Sequence, residues 1–304
     1  MTLAYTPYDG SGPLFRIGLK PLELDTWIEI DDLLGPYLSE KNRLYDTIPD
    51  KIFAAEEGTE EPQAEVLDLL VEHLLAKFPQ TYQRDGSAIV LPKLGRRVEL
   101  EGVNPLKAAS LLVQEDLVIM RRGDDGWRLA AAALCFPSSW RLDEKFRKPI
   151  DKIHTPVPGF GTGTRNATVI ERIFDKLAVE LPVERMNWSL QLNSELYHPL
   201  SDMERDERAA NRPSRFTDED LAASLFIRVE RQTLRKLPKT GDILFTIRIY
   251  LDPMTRLQAH SERARIAAGF AEQLMALDEA QLDYKGFTAD RDRLVAELRK
   301  MAEA

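Results

Sequence analysis

Two strands joined by a short turn are predicted by residues 224–252, which read SLFIRVERQTLRKLPKTGDILFTIRIYLD. Apolar and polar side chains alternate through 226–232 and again through 243–250, which is the period of a β-strand. The connector 235–241 holds a proline and a glycine, residues that favour tight turns. The segment is therefore predicted to form an antiparallel hairpin.

Further strands are predicted in the part of the chain that precedes this hairpin. Short apolar runs occur at 88–91, 116–120, 127–136 and 186–192. The turn 123–126, Gly-Asp-Asp-Gly, predicts a second hairpin. These strands are expected to share one antiparallel sheet in an α+β fold.

Helices are predicted before, within and after the strands. Apolar residues at spacings of three and four predict an amphipathic helix over 61–77, and two packed helices are predicted within 258–304. Two helical stretches are expected within 141–181, on either side of a proline-rich passage. The highly charged stretch 201–220 is expected to be a surface loop or linker.

Composition excludes several classes of protein. The chain has 304 residues, 43% of them hydrophobic, and a net charge of −9, which argues against nucleic acid as a partner. No apolar run is long enough to span a membrane and residues 1–12 lack a signal-peptide pattern, so a cytoplasmic protein is expected. The single cysteine, Cys135, lies in an apolar run; a buried thiol is favoured there over a nucleophile, and disulfides and cysteine-based metal clusters are excluded within this chain.

Histidine is scarce, and one histidine stands in an unusual setting. The four histidines are His73, His154, His198 and His260. His154 lies in the passage Lys-Ile-His-Thr-Pro-Val-Pro-Gly at 152–159, where the prolines restrict the backbone that follows it. A structural role and axial ligation of a haem iron both fit this residue, because a haem needs only one or two ligands from the protein. His73 is expected to be solvated and His260 to have a capping or surface role.

A polar cluster is predicted on the hairpin at 224–252. Alternation places Arg228, Glu230 and Gln232 on one face, and the hairpin would bring Arg248 beside them. Two interpretations are open. The face is either solvated, as is common in antiparallel sheets, or it is a buried cluster in which guanidinium groups orient a carboxylate that receives a ligand.

Other catalytic patterns are weak or missing. The glycine-rich stretch 159–164 lacks the spacing of a dinucleotide or Walker loop, so a turn is favoured over a nucleotide site. The sequence has no His-Glu-x-x-His and no Gly-x-Ser-x-Gly motif, which removes support for a zinc or serine hydrolase.

Several passages together carry a resemblance that covers most of the chain. They read FRIGLKPL at 15–22, LVQEDL at 112–117, LCFPSSWRLDEK at 134–145, IHTPVP at 153–158, RVERQTL at 228–234 and LFTIR at 244–248. In these passages the sequence resembles the alpha subunit family of haem-dependent oxidative N-demethylase, the dimethylamine monooxygenase type.

The resemblance implies a PAS-like haem-binding domain over 1–304, in which an antiparallel sheet carries helices on one side and extra helices at both ends. Residues 1–80 would form a helical arm, 85–255 the sheet core with inserted helices, and 256–304 the C-terminal helices. Haem b would lie between the inserted helices and the sheet. His154 is the expected axial ligand of the iron, with His198 as the reserve.

The implied reaction is oxidative N-demethylation of a small secondary amine such as dimethylamine, with O2, to a primary amine and formaldehyde. Glu230 is expected to hold the ammonium group, with Arg228 or Arg248 orienting it. The candidates for binding the haem propionates are Arg231, Arg248 and Arg165.

The resemblance also implies partner subunits: a reductase that uses flavin, iron–sulfur and NADPH chemistry, and a folate-binding subunit that captures formaldehyde. Two alternatives stay open. One is a PAS-like haem sensor or ligand-binding module without turnover, and the other is a haem-free structural relative.

Overall fold

The computed structural model describes residues 3–216 and 220–303. Its strands are β1 (Lys20–Pro21), β2 (Phe53–Ala55), β3 (Gln83–Asp85), β4 (Ala88–Leu91), β5 (Arg96–Glu99), β6 (Asp116–Gly123), β7 (Gly126–Ala133), β8 (Val183–Gln191), β9 (Phe226–Lys236) and β10 (Ile243–Pro253). Its α-helices are α1 (Leu34–Thr47), α2 (Pro49–Ile52), α3 (Glu60–Lys77), α4 (Pro105–Ser110), α5 (Leu142–Lys145), α6 (Ile150–Ile153), α7 (Arg165–Lys176), α8 (Asp202–Asn211), α9 (Leu221–Ser224), α10 (Met254–Gln258), α11 (Arg263–Met275), α12 (Glu279–Lys285) and α13 (Arg291–Glu303). Short 3-10 helices occur at Leu24–Thr26 and Pro92–Leu94.

The predicted hairpin is confirmed, and it lies at the centre of the main sheet. β9 and β10 pair antiparallel from Lys236 opposite Ile243 to Phe226 opposite Pro253. The turn closes through a bond of 2.8 Å from the Leu237 amide to the Asp242 carbonyl, and Gly241 takes a φ of 76° that favours glycine. The main sheet is antiparallel in the order β1-β8-β9-β10-β6-β7-β2, which confirms the predicted α+β class.

The second predicted hairpin is also confirmed, but one predicted strand belongs elsewhere. β6 and β7 pair up to Gly123 opposite Gly126, with a φ of 104° at Gly126. Residues 88–91 do form a strand, β4, yet β4 pairs with β3 and β5 in a separate three-stranded sheet. The expectation of a single sheet was therefore wrong at this strand, because short apolar runs do not specify their partners.

The helix predictions have mixed outcomes. α3 and α7 confirm the helices expected over 61–77 and within 141–181, and the C-terminal region forms α11, α12 and α13 rather than two helices. The loop expected over 201–220 is wrong at α8, where Ser201 and Glu204 form a reciprocal capping box; residues 217–219 of that stretch lie outside the described residues. Within 3–216 and 220–303, no helix combines the length and apolar character needed to cross a bilayer.

One face of the main sheet, called the closed face below, is covered by helices from both ends of the chain. Trp188, Ile227 and Val229 pack in one cluster with apolar residues of α11 and α13. Leu117 and Leu244 pack in a second cluster with apolar residues of α3 and α4. Burial of these apolar side chains is the main source of stability for the sheet.

The other face, called the cavity face, is only partly covered. Val118 and Ile247 pack here in a third cluster with residues of α6 and α7, among them Ile150 and Phe174. Alternation along β8 and β9 also brings Asn187 and Glu230 to this face, directly opposite each other. Polar side chains therefore stand on a sheet face that is otherwise apolar and buried.

The start of the chain is fixed against α11. Tyr8 is fully buried among Trp188 and Phe270, with ring centroids 6.3 and 4.5 Å from its own. Gln273 of α11 donates a bond of 2.8 Å to the carbonyl of Gly12. This anchoring positions the residues that follow, 14–19, at the edge of the cavity face.

His73 was predicted to be solvated, but it is half-buried in the structure. Its ring contacts Trp27 and Phe78 edge-on, with centroids 5.3 and 6.1 Å away, and its Nε2 is buried with no hydrogen-bond partner among the described residues. Burial is the main cause that lowers the pKa of His73 to about 4, and the charges of Arg235 and Lys77 add to it.

This shift predicts a pH dependence of stability. A histidine whose pKa is lower in the folded state than its ordinary 6.5 costs stability as the pH falls from about 6.5 towards 4, because the unfolded chain binds the proton more readily. We expect the urea midpoint to fall between pH 7 and pH 5, and to fall less in His73→Gln, as measured by far-UV circular dichroism. An equal fall in both proteins would contradict this prediction.

Candidate functional site

A cavity of about 300 Å³ lies between the cavity face and the segment that carries α6 and α7. Its apolar walls include Val118, Met120, Leu129, Ile150, Ile153, Val157, Phe160, Ile170, Ile173, Phe174, Phe245 and Ile247. Residues 14–17 and 19, close to the anchored start of the chain, complete one edge. The cavity is apolar on one side and, as described below, strongly charged on the other.

His154 lines this cavity, at the point where α6 ends. Pro149 precedes the helix and fixes its start, and the His154 amide donates a bond of 3.0 Å to the Ile150 carbonyl. Nδ1 of His154 is buried and has no hydrogen-bond partner among the described residues. Burial, followed by the charges of Arg185 and Lys145, lowers the pKa of His154 to about 4. At pH 7 the imidazole is therefore neutral, which is the form that binds a metal.

His198 lines the same cavity. Its backbone is held from both sides, since its amide donates to the Pro137 carbonyl and its carbonyl accepts from the Ser139 amide, both at 3.1 Å. Burial, with the charges of Arg228 and Arg215, lowers the pKa of His198 as well. The structure thus brings the expected ligand and its reserve into one cavity.

Glu230 is the one carboxylate among the described residues that line the cavity. Its Oε2 accepts bonds from Gln232 at 3.0 Å and from Asn187 at 3.3 Å, and its Oε1 lies 3.7 Å from Nε of Arg228. The side chain is 14% exposed. Of the two interpretations left open by the sequence, the buried polar cluster is the one that the structure has.

Arg228 is fully buried and lies behind the cavity wall rather than in the described lining. Its guanidinium donates to the carbonyl of Phe136 at 2.6 Å and to that of Leu196 at 3.2 Å. These carbonyls belong to the two loops that bring Ser138, Ser139 and His198 to the cavity. Arg228 therefore holds the loops in place and supports Glu230 from behind.

Three arginines predicted for the site lie outside its described lining. Arg248 pairs with Arg231 across the hairpin, and both point to the closed face, where Arg231 bonds to Glu184 at 2.8 Å and Arg248 to Asp31 at 2.7 Å. The expectation that Arg248 joins Glu230 was wrong, because this register places the two residues on opposite faces. Arg165 is exposed at the start of α7.

A group of cations that sequence reasoning missed forms the charged side of the cavity. The described lining contains Arg16, Lys145, Arg185, Arg205, Arg208, Arg215 and Lys285. Lys145 and Arg205 are paired with Asp202. No carboxylate of the described residues lies within ion-pairing distance, 4.0 Å, of the other five. The capping box at Ser201 was a signal for α8, which carries two of these residues, but nothing in the sequence places α8 or α12 beside the sheet.

Three of these cations are held by backbone carbonyls instead of acids. Lys285 donates to the Trp188 carbonyl at 2.8 Å, Arg208 to the Tyr284 carbonyl at 2.8 Å and Arg215 to the Lys285 carbonyl at 3.1 Å. Burial lowers the pKa of Lys285 to about 8 and that of Arg208 to about 10, so both are mainly charged at pH 7. Such a group of buried cations is suited to an anionic ligand.

Two other features of the sequence have structural roles. Thr164, at the end of the glycine-rich stretch, caps α7 by accepting from the Ala167 amide, as expected of a turn before a helix. Cys135 is fully buried, and burial raises the pKa of its thiol far above the ordinary value. Its amide and that of Phe136 donate to Asp116 at 2.8 and 2.9 Å, so this part of the chain serves to position the loop that follows.

Comparison with protein families shows which family the chain belongs to. The model of a family described as "haem-dependent oxidative N-demethylase, alpha subunit-like" matches residues 18–295. Because this match covers most of the chain, the protein belongs to that family. The description points to haem dependence, to an oxidoreductase and to the presence of other subunits.

Proposed function

We propose that this chain is the haem-binding subunit of a monooxygenase that removes a methyl group from a small amine such as dimethylamine. The observation that carries the proposal is the neutral imidazole of His154 in the wall of a cavity that also contains the carboxylate of Glu230. One nitrogen of this imidazole is buried and has no hydrogen-bond partner among the described residues. Membership of the family supports both the cofactor and the type of reaction.

The residues of the cavity fit haem b. A haem is a flat apolar ring with two propionates at one edge, and the cavity has apolar walls and a group of cations without acidic partners among the described residues. His154 would be the axial ligand, with His198 as the alternative. Arg208 and Arg215 replace Arg231, Arg248 and Arg165 as the proposed partners of the propionates. When bound, haem supplies the redox chemistry that activates O2.

The side chains around Glu230 have a separate proposed role. The carboxylate would bind the ammonium form of the amine, while Asn187 and Gln232 fix its orientation by donating to Oε2. Lys285 donates to Oδ1 of Asn187 at 3.3 Å, and Asn187 in turn donates to Glu230. The ammonium group of Lys285, with a pKa of about 8, would therefore hold a proton near the bound amine.

The proposed reaction consumes O2, two electrons and two protons and yields the demethylated amine, formaldehyde and water. One C–H bond of the methyl group becomes C–O, and the C–N bond then breaks with the electron pair remaining on nitrogen. We propose that the electrons come from a separate reductase with flavin or iron–sulfur groups and NADPH, since this chain has one cysteine and a cysteine-bound cluster needs several. A folate-binding subunit would take up the formaldehyde.

The described cavity walls come from residues 14–19, from segments between 118 and 247, and from 284–285. This arrangement supports treating 1–304 as one haem-binding unit rather than as separate parts. The central region, 85–255, would supply the ligand and the walls, and the two ends of the chain would close the cavity.

A reconstitution experiment tests the proposed function. We expect the purified chain to bind ferric haem with a Soret band distinct from that of free haem. With a reductase and O2 it should release formaldehyde from at least one amine in a panel that includes dimethylamine. The haem-free chain and free haem are the controls. Haem binding with no release of formaldehyde from any methylated amine would contradict the proposed enzymatic activity. That result would favour a haem-binding module without turnover.

A further inference from the structure

The cavity contains more positive charge than haem and a simple amine require. Five described lining cations lack an acidic partner among the described residues: Arg16, Arg185, Arg208, Arg215 and Lys285. Two propionates and the carboxylate of Glu230 supply three negative charges, which leaves at least two cations unbalanced, since Glu230 also lies 3.7 Å from Nε of Arg228. A small monocation such as dimethylammonium adds to this excess, and repulsion between like charges is strong in a buried site.

Among the five cations that lack an acidic partner, Arg185 is the one carried by β8, the strand that pairs with the strand of Glu230. Arg185 lies opposite Gln232 and Asn187 opposite Glu230, so Arg185 and Glu230 are diagonal neighbours on the cavity face. Glu230 is the main charge that opposes the lowering of the Arg185 pKa by burial.

Despite this proximity, Arg185 and Glu230 do not form an ion pair within 4.0 Å. Glu230 is held by Asn187, Gln232 and Arg228. The Arg185 side chain makes no hydrogen bond to a described residue, and its Nε is buried without a partner. The carboxylate of Glu230 and the guanidinium of Arg185 are thus held apart in the same wall of the cavity. This arrangement suits a ligand that carries both an ammonium group, for Glu230, and a carboxylate, for Arg185.

We propose that the substrate is an N-methylated amino acid, a secondary or tertiary amine that carries a carboxylate a short distance away. Glu230 binds its ammonium group and Arg185 binds its carboxylate. This inference rests on the proposed function, and it names the substrate class of that site. For N,N-dimethylglycine the balanced reaction consumes O2, two protons and two electrons from the reductase, and it gives N-methylglycine, formaldehyde and water.

Binding to the haem-loaded full chain tests the proposal by isothermal titration calorimetry. The probes are N,N-dimethylglycine, its methyl ester, and dimethylamine, which differ in whether a free carboxylate is present. We expect the acid to bind at least about tenfold more tightly than the ester or dimethylamine, since an ion pair in a buried site contributes at least this much. Equal binding of all three would overturn the substrate class.

Variants assign the effect to residues. Arg185→Gln should weaken binding of the acid by about 10- to 100-fold and leave the ester and dimethylamine unchanged, whereas Glu230→Gln should weaken all three. Arg185→Lys keeps the charge and should restore part of the preference. Arg165→Gln, which lies outside the described lining, is the matched control and should bind as the parent does.

The possible failures are distinguishable. If Arg185→Gln loses haem, or if it weakens the binding of the acid and of dimethylamine equally, Arg185 does not select the carboxylate. The inference is then overturned, while the proposed function stands. If the parent chain binds no haem, or releases no formaldehyde from any amine, the proposed function itself fails. If formaldehyde comes from dimethylamine as fast as from N,N-dimethylglycine, the proposed function stands and the substrate class is overturned.

Discussion

Replacing His154 with alanine should abolish stoichiometric haem binding. The imidazole is neutral at pH 7 because burial lowers its pKa to about 4, and its Nδ1 is buried without a partner among the described residues. Under the proposed function His154 is the ligand that the protein provides to the iron, so its removal would leave only the contacts of the ring and its propionates. The measurement is the Soret absorbance per chain after reconstitution and gel filtration.

Three further variants make this experiment decisive. His198→Ala should keep haem, and His260→Ala, in the segment after α10, should behave as the parent chain does. His154→Gly should recover a ferric spectrum close to that of the parent when free imidazole is added, because the small ligand enters the space that the side chain leaves. Retention of haem in His154→Ala with loss in His198→Ala would transfer the ligand role to His198.

Replacing Gly269 with alanine should destabilise the fold by about 3 kcal/mol or more. Gly269 is a buried position in α11, and a Cβ built there would overlap the carbonyl of Asp9 and lie 2.8 Å from the amide nitrogen of Gly10. Both obstacles are backbone atoms, so no side chain can rotate away. The measurement is the free energy of unfolding from urea titration.

Gly35→Ala is the matched control, since it makes the same change within helix α1. There the new Cβ would meet only the end of the Leu94 side chain, at 3.1 Å, which can move. Alanine favours a helix over glycine by about 1 kcal/mol, so stability should be unchanged or slightly higher. Equal stability of Gly269→Ala and the parent would show that residues 9 and 10 do not lie against α11.

The hairpin was predicted correctly from the sequence, but the prediction placed the wrong faces of its two strands on the same side of the sheet. β9 ends at Lys236 and β10 begins opposite it at Ile243, so an even-numbered residue of one strand faces an odd-numbered residue of the other. Glu230 therefore shares a face with Ile249, and Arg248 pairs with Arg231. Because side chains alternate with a period of two, one residue of register decides which arginine reaches the cavity.

The candidate site was predictable only where chemistry and local sequence coincide. His154 stood out by its scarcity and its prolines, and Glu230 by its place in an alternating strand. Arg208, Arg215 and Lys285 gave no comparable signal, because charged residues on short helices and in loops are ordinarily solvated. They reach the cavity through the packing of α8, of the segment that follows α8 and of α12, which depends on contacts between distant parts of the chain.

The contact between Asp9, Gly10 and Gly269 also bears on the order of events during synthesis. Residues 3–14 leave the ribosome well before the helix that receives them, α11, has been made. The cavity edge at residues 14–19 therefore closes only after α11 has been synthesised. Cofactor loading should follow the synthesis of α11, and a protein truncated before residue 263 should be unable to retain haem even though it contains both cavity histidines.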